Sequence, residues 1–122
     1  MIQPGTKVKV ADNTGAKMVQ CFNIPGGTRK RYAQIGDIII ASVKQAEAGR
    51  EVKTHAIVKA VIVRQKKNFK RNDGTYIRFD ENACCLLNEN KEIRGNRIFG
   101  PIPRELKEKG FEKIVTLAKE VV

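Results

Sequence analysis

Residues 57–63 read IVKAVIV, an apolar and largely β-branched run interrupted only by Lys59. β-branched residues favour extended backbone, and a short apolar run between polar segments is typical of a buried strand. The next eleven residues, 64–74, read RQKKNFKRNDG. Asp73 and Gly74 suit the tight type I′ turn of a β-hairpin. These residues therefore predict a buried strand that leads into a hairpin with basic limbs.

Further strands are predicted on both sides of this stretch. Residues 7–10 alternate lysine with valine, and residues 37–43 are rich in β-branched residues and predicted to be buried on both faces. The other predicted strands are residues 17–24, 76–79 and 83–87. Five or six short strands with close turns indicate a mainly β fold, and a small barrel is favoured because closure removes exposed edges.

The last part of the chain has a helical pattern. Residues 103–110 read PRELKEKG, with proline in the first turn and glycine after the end of a predicted short helix. Phe111, Ile114, Val115 and Ala118 recur at helical spacing and predict a second one. We interpret residues 1–122 as a single domain, with the barrel over about 1–100 and the helical segment over about 101–122.

The charge of the chain is strongly positive and unevenly distributed. The net charge is +11, with 24 Lys and Arg against 13 Asp and Glu. Residues 1–79 carry the whole excess, since residues 80–122 contain equal numbers of basic and acidic side chains. Such an excess predicts a polyanionic partner, with nucleic acid ahead of an anionic membrane surface.

Two basic clusters are the strongest candidates for that contact. Residues 64–71 contain five cations that would project from the hairpin and could straddle a phosphate backbone. Phe69, among them, either stacks on an unpaired base or folds back onto the core, and the core is favoured. Residues 28–32 (TRKRY) follow Pro25-Gly26-Gly27, where glycine allows close approach of the backbone to a phosphate.

A third candidate is residues 94–101, RGNRIFGP. In an extended segment Ile98 and Phe99 point to opposite faces, so one of them is expected to face a partner.

Catalysis and metal binding are not indicated. Cys21, Cys84 and Cys85 lack a metal-ligand spacing and resemble small apolar residues of a reducing compartment. Residues 80–82 (DEN) favour a turn or capping role over acid–base chemistry, and His55 is expected to be exposed. No catalytic residues, metal site, cofactor or small-molecule substrate are predicted, and no membrane segment.

Several motifs, in order along the chain, resemble one family. They are residues 10–16 (VADNTGA), 31–33 (RYA), 35–37 (IGD), 59–64 (KAVIVR), 73–80 (DGTYIRFD), 97–101 (RIFGP), 104–106 (REL) and 113–115 (KIV), together with residues 1–3 (MIQ). The chain resembles the bacterial-type form of universal large-subunit ribosomal protein fourteen over essentially its whole length.

The resemblance implies a five-stranded β-barrel with short C-terminal helices and a structural, non-enzymatic role in the large ribosomal subunit. It implies binding to large-subunit rRNA and inter-subunit bridges to small-subunit rRNA. The implied neighbours are large-subunit ribosomal proteins three and nineteen. The implied location is the ribosome in the bacterial cytoplasm, with a chloroplast or mitochondrial ribosome as the alternative.

The resemblance also implies that one exposed face docks a ribosomal silencing factor. The residues at the matching positions are Asn96, Arg97, Lys113 and Thr116, and Asn96 stands where the family has threonine. Lys119 stands where proline is usual, which would let the last helix continue by a turn.

The cations and the resemblance together give the expected rRNA-binding set. It comprises Arg29, Lys30, Arg31, Arg64, Lys66, Lys67, Lys70, Arg71, Arg78, Arg94 and Arg97.

Two alternative functions compete with this interpretation. A free-standing barrel that binds single-stranded nucleic acid would need aromatic residues clustered on one strand face, whereas the five Phe and two Tyr are scattered. A nucleic-acid hydrolase would need convergent carboxylates, whereas Asp37, Asp73 and Asp80 lie in or beside separate predicted turns.

Overall fold

Five strands close into a barrel in the computed structural model, which describes residues 2–27, 30–50 and 52–122. The barrel strands are β1 Lys7–Val10, β2 Ala16–Asn23, β3 Ile38–Ala46, β4 Ile57–Arg64 and β7 Ala83–Leu87. The other elements are β5 Phe69–Lys70, β6 Tyr76–Ile77, β8 Ile98–Ile102, α1 Glu105–Glu108, α2 Glu112–Leu117 and β9 Ala118–Val121. The predicted five-stranded barrel, hairpin and short helices are confirmed.

The order of strands around the barrel places the hairpin at one end of it. Antiparallel pairs join β1 to β2, β2 to β3, β3 to β4 and β4 to β7. The parallel pairing of β1 with β7 closes the barrel, which leaves no free edge among its strands. Arg64 and Ala83 are partners across β4 and β7. The chain therefore leaves the barrel at Arg64, forms the hairpin, and re-enters the barrel at Ala83.

Burial on both faces occurs in other strands than the one predicted. In β3, Ile39 and Ala41 are buried, but Ile38 and Ile40 are only half-buried, so the prediction for this strand is wrong. In β4 every residue from Ala60 onward is buried, and β7 is buried throughout. Which part of a barrel becomes covered depends on segments distant in sequence, and strand periodicity does not report it.

The C-terminal part contains two strands that the sequence did not indicate. β8 and β9 pair in parallel, with Ile98 opposite Ala118. Ala118 has extended backbone (φ −71°, ψ 139°), so α2 ends at Leu117. The predictions that Ala118 belongs to the last helix and that Lys119 lets it continue are therefore wrong. The predicted first helix is confirmed in shortened form as α1.

Apolar side chains of the barrel and of the C-terminal part form one core cluster. Its fully buried members include Val8, Ile39 and Ile62 of the barrel, together with Ile102, Leu106 and Ile114. The short helices are thus held by packing onto the barrel, since helices of this length are marginal alone. Within the described ranges, no helix is long and apolar enough to cross a membrane.

Candidate nucleic-acid interface

The basic hairpin, residues 66–77, has two chemically different faces. Phe69 pairs with Ile77, and Lys70 pairs with Tyr76. Paired residues of an antiparallel ladder share a face, and successive residues alternate between faces. Phe69 and Ile77 are half-buried, and Phe69 packs against the core, as the sequence favoured. Lys70 and Tyr76 are exposed and form the outer face.

Residues 65–67, the limb that leads into the hairpin, are held in place by the buried side-chain amide of Gln65. Gln65 is 2% exposed, and its Oε1 accepts a hydrogen bond from the Ile35 N–H at 3.2 Å. Its Nε2 donates to the carbonyl of Lys67 at 2.9 Å. The N–H of Lys66 donates to Oδ1 of Asn82 at 2.9 Å. The backbone of this limb is therefore held in place while the side chains of Lys66 and Lys67 stay exposed.

The guanidinium group of Arg71 binds other residues of the protein. Its Nε lies 2.8 Å from Oε1 of Glu105 in α1, and its Nη2 donates to the carbonyl of Val122 at 2.6 Å. The Arg71 side chain is 12% exposed. At the hairpin tip, Arg104 lies 3.9 Å from a carboxylate oxygen of Asp73. Arg71 thus ties the hairpin to the C-terminal segment, whereas the sequence predicted a cation directed at RNA.

The guanidinium group of Arg64 also binds other residues of the protein, whereas the sequence predicted that it contacts RNA. Only 6% of the residue is exposed. Its Nη1 donates to the carbonyls of Phe99 (2.7 Å) and Pro101 (3.1 Å). Its Nη2 donates to Glu81 at 3.2 Å, and the other carboxylate oxygen of Glu81 is 3.0 Å from Nζ of Lys9. Arg64 therefore joins β4 to β8.

Glycine at position 100 is required by this arrangement. Gly100 has a φ of +84°, which L-residues rarely adopt. A Cβ atom at this position would overlap the guanidinium of Arg64. The carbonyls on either side of Gly100 are the ones that Arg64 binds. The absence of a side chain at Gly100 therefore leaves space for the Arg64 guanidinium.

The second basic cluster is described only in part. Arg29 lies outside the described residues. Lys30 forms an ion pair with Asp37 at 3.3 Å, and Arg31 is exposed. Gly26 has a φ of +116°, so the backbone turns before the cluster. The structure thus gives Lys30 a partner within the protein and leaves Arg31 at the surface.

A buried turn holds the third candidate segment, residues 94–101. Together with Ile102, the last residue of β8, we call it the anchored segment (residues 94–102). Asp12 is 6% exposed and accepts hydrogen bonds from the N–H and hydroxyl of Thr14 and from the N–H of Leu86. Burial raises the pKa of Asp12, while these hydrogen bonds oppose the rise. Oδ1 of Asn13 accepts hydrogen bonds from the N–H groups of Asn96 (3.0 Å) and Arg97 (3.2 Å). The turn thereby fixes the backbone of the anchored segment.

The four residues expected to dock a silencing factor lie at one end of the β8–β9 pair or on the helix beside it. Asn96 and Arg97 directly precede β8, and Ile98 pairs with Ala118. Thr116 lies two residues before Ala118, and Lys113 is three residues earlier on α2, on the same helix face. All four are exposed. As expected from alternation, Ile98 is buried and Phe99 is exposed.

The cysteines are buried, and the acidic residue Glu81 is held in ion pairs. Cys21, Cys84 and Cys85 are free and buried, and burial raises the pKa of each thiol. Their thiolate forms are therefore disfavoured at neutral pH. Glu81 accepts a hydrogen bond from Arg64. Residues 2–27, 30–50 and 52–122 contain no acidic, cysteine or histidine cluster able to hold a metal.

The chain matches a known protein family over its full length. The family model described as Ribosomal protein L14p/L23e matches residues 1–122, the whole chain. The chain belongs to this family. It is therefore a structural constituent of the large ribosomal subunit and acts in translation as part of a ribonucleoprotein. The resemblance drawn from the sequence and the predicted location at the ribosome are confirmed.

Three residues that position or extend the surface were missed by sequence reasoning. Gln65 was counted only as a neighbour of cations, and Asn13 only as part of a turn. Their distant partners, Ile35 and Asn96, were not evident in the sequence. Tyr76 was assigned only to a returning strand, and the predicted two-residue type I′ turn at Asp73-Gly74 would place it opposite Arg71. That turn type is wrong: the loop has three residues, 72–74, and this register places Tyr76 opposite Lys70.

Proposed function

We propose that the exposed cations of the basic hairpin bind large-subunit rRNA by neutralising phosphates. The observation that carries the proposal is the limb fixed by Gln65, which holds Lys66 and Lys67 at the surface beside the outward-facing Lys70. The backbone that carries these cations is already ordered before binding, so more of the electrostatic attraction contributes to affinity.

The proposed contact set is smaller than the set expected from sequence. Arg64 and Arg71 position the hairpin and the anchored segment, because their guanidinium groups already bind carbonyls and carboxylates. The proposed rRNA contacts are Arg29, Lys30, Arg31, Lys66, Lys67, Lys70, Arg78, Arg94 and Arg97. We propose no catalytic residue, and a nuclease activity that disappears in Asp80→Ala would contradict that.

Co-sedimentation tests the proposal in the assembled particle. Tagged wild type should follow the large subunit and the whole ribosome through a sucrose gradient after a moderate salt wash. The triple-lysine variant, with Lys66, Lys67 and Lys70 replaced by alanine, should move toward the top of the gradient. Equal retention of this variant and the wild type would contradict the proposal.

A matched control separates local contacts from total charge. Lys17, Lys44 and Lys53 are also exposed lysines, and Lys17 and Lys44 lie on the neighbouring strands β2 and β3. Replacing these three by alanine changes the net charge equally. The control variant should remain with the large subunit. If it is lost as readily as the triple-lysine variant, net charge rather than the hairpin governs binding.

We further propose that the exposed face of the anchored segment and α2 forms a contact with other ribosomal components. The proposed partners are small-subunit rRNA in inter-subunit bridges, large-subunit proteins three and nineteen, and a silencing factor docked on Asn96, Arg97, Lys113 and Thr116. Support comes from their exposure at one end of the β8–β9 pair or on α2 beside it. Arg97→Ala should remain with the large subunit, because the other proposed rRNA contacts are intact, and it should weaken silencing-factor capture or subunit joining. Unchanged capture and joining would contradict this part.

A further inference from the structure

The hairpin carries an exposed aromatic ring among its cations. Tyr76 is 64% exposed, and it is the most exposed aromatic residue in the described part of the chain. Among residues 2–27, 30–50 and 52–122, its phenol has no hydrogen-bond partner. The inward residue Phe69 already packs the hairpin against the core. The ring is therefore accessible to a partner at the protein surface.

The cations beside Tyr76 indicate which kind of chemical group could bind against its ring. Lys70 is its direct cross-strand partner, so the two Cβ atoms are roughly 5 Å apart. Arg78 is exposed two residues further along and follows the same strand. A planar group with an attached anion matches a ring flanked by two cations. An unpaired nucleotide has both parts, a flat base and a phosphate.

We propose that Tyr76 is a stacking platform for an unpaired RNA base, with Lys70 and Arg78 placed to contact the adjoining phosphates. The inference rests on the proposed function and adds a single-stranded RNA loop or bulge as the element recognised. A base inside an intact duplex is already stacked on its neighbours, so it cannot lie on the ring. The phosphate contacts alone would not make this distinction.

Affinity for isolated large-subunit rRNA tests the proposal with matched variants. Tyr76→Val removes the aromatic face and keeps strand propensity, whereas Tyr76→Phe keeps the face. Loss of one stacked base should weaken binding roughly 5- to 150-fold in Tyr76→Val. Tyr76→Phe should bind like the wild type, and so should Phe22→Val, which removes an aromatic residue that is 49% exposed on β2. The salt dependence should not change, because no charge is removed.

Fluorescence gives a direct readout of stacking. The chain contains no tryptophan, so Tyr76→Trp introduces a unique probe. Single-stranded polyadenylate should quench this fluorescence, and the duplex of polyadenylate with polyuridylate should quench it much less. Phe22→Trp serves as the control and should show no such difference. Equal quenching by the two RNAs would contradict recognition of an unpaired base.

The outcomes distinguish this inference from the function on which it rests. If the triple-lysine variant loses rRNA but Tyr76→Val binds like the wild type, stacking is overturned and the phosphate contacts stand. If the wild type fails to bind rRNA, both are overturned. If Tyr76→Val binds rRNA normally but loses a ribosomal protein, Tyr76 contacts protein and the inference is wrong.

Discussion

Two turns with the same local hydrogen bonds support two very different regions. In Asp12-Asn13-Thr14 and in Asp73-Gly74-Thr75, the aspartate Oδ1 accepts hydrogen bonds from the N–H and the hydroxyl of the threonine. Asp12 is buried and Asp73 is exposed. The first turn holds the anchored segment against the barrel, and the second forms the tip of the basic hairpin.

The difference shows that local sequence sets the turn, while burial sets what the turn contributes. The anchored segment is built into the protein through Asn13, Arg64 and the hydrogen bond from the Phe99 N–H to the Ala11 carbonyl. The basic hairpin projects from the barrel and is held by Gln65 and the Arg71 ion pair. Changes at the anchored segment should therefore cost stability, and changes on the outer face of the hairpin should cost RNA affinity.

The largest expected effect is the loss of stability in Arg64→Ala. This change leaves the carbonyls of Phe99 and Pro101 without their donor and should lower the free energy of unfolding by about 2–4 kcal/mol. Urea denaturation measures it. Arg31→Ala, at an exposed position, is the control and should change stability little. Equal stability of the two variants would show that the anchored segment does not depend on Arg64.

Asp12→Ala should have the next largest effect. It removes the acceptor for the N–H of Leu86 and for both donors of Thr14, at a buried position. We expect a loss of about 1–3 kcal/mol in the free energy of unfolding. Asp73→Ala, in the exposed turn, should leave the urea midpoint nearly unchanged. Similar losses in both variants would refute the contrast between the two turns.

A smaller effect is expected at the attachment of the hairpin. Arg71 and Glu105 are both mostly buried, so their ion pair should show a coupling energy of about 1 kcal/mol in a double-mutant cycle. The cycle uses Arg71→Ala, Glu105→Ala and the double variant. A coupling energy near zero would mean that the hairpin is held by Phe69 packing and the Gln65 limb alone.

The smallest effect is a difference in pH dependence between the two aspartates. Burial raises the pKa of Asp12 above 3.8, so its contribution to stability is present below pH 3.8 and is lost as pH rises through the folded-state pKa. Hydrogen bonds from Thr75 lower the pKa of Asp73, so its contribution is present above pH 3.8 and is lost as pH falls through the folded-state pKa.

Urea denaturation across acidic pH checks these opposite signs. The stability of the wild type relative to Asp12→Asn should fall as pH rises above 3.8. The stability of the wild type relative to Asp73→Asn should fall as pH decreases below 3.8. Slopes of the same sign in both comparisons would contradict the role given to burial.

Much of the fold was predictable because its strands are short, β-branched and separated by turn residues. The Asp73-Gly74 turn located the hairpin, and the apolar run at residues 57–63 located β4. β8 and β9 were not predictable, since Gly100 and Pro101 ordinarily weaken a strand and the pairing is between distant segments. The same distant pairing ends α2 at Leu117.

The candidate site was predictable in position but not in the role of each cation. The density of charge at residues 64–71 identified the basic hairpin. It did not distinguish Arg64 and Arg71, which bind Glu81 and Glu105, from the exposed lysines between them. The acidic partners are 17 or more positions away in sequence, so no local pattern reveals the pairing.

The most direct test of the central claim is the salt dependence of rRNA affinity in the triple-lysine variant, measured beside its thermal unfolding. If the three lysines each neutralise a phosphate, the slope of log affinity against log salt should fall in magnitude by roughly 2–3, with the unfolding temperature unchanged. An unchanged slope, or a loss of affinity matched by a loss of unfolding temperature, would contradict the claim that the outer face of the hairpin binds RNA.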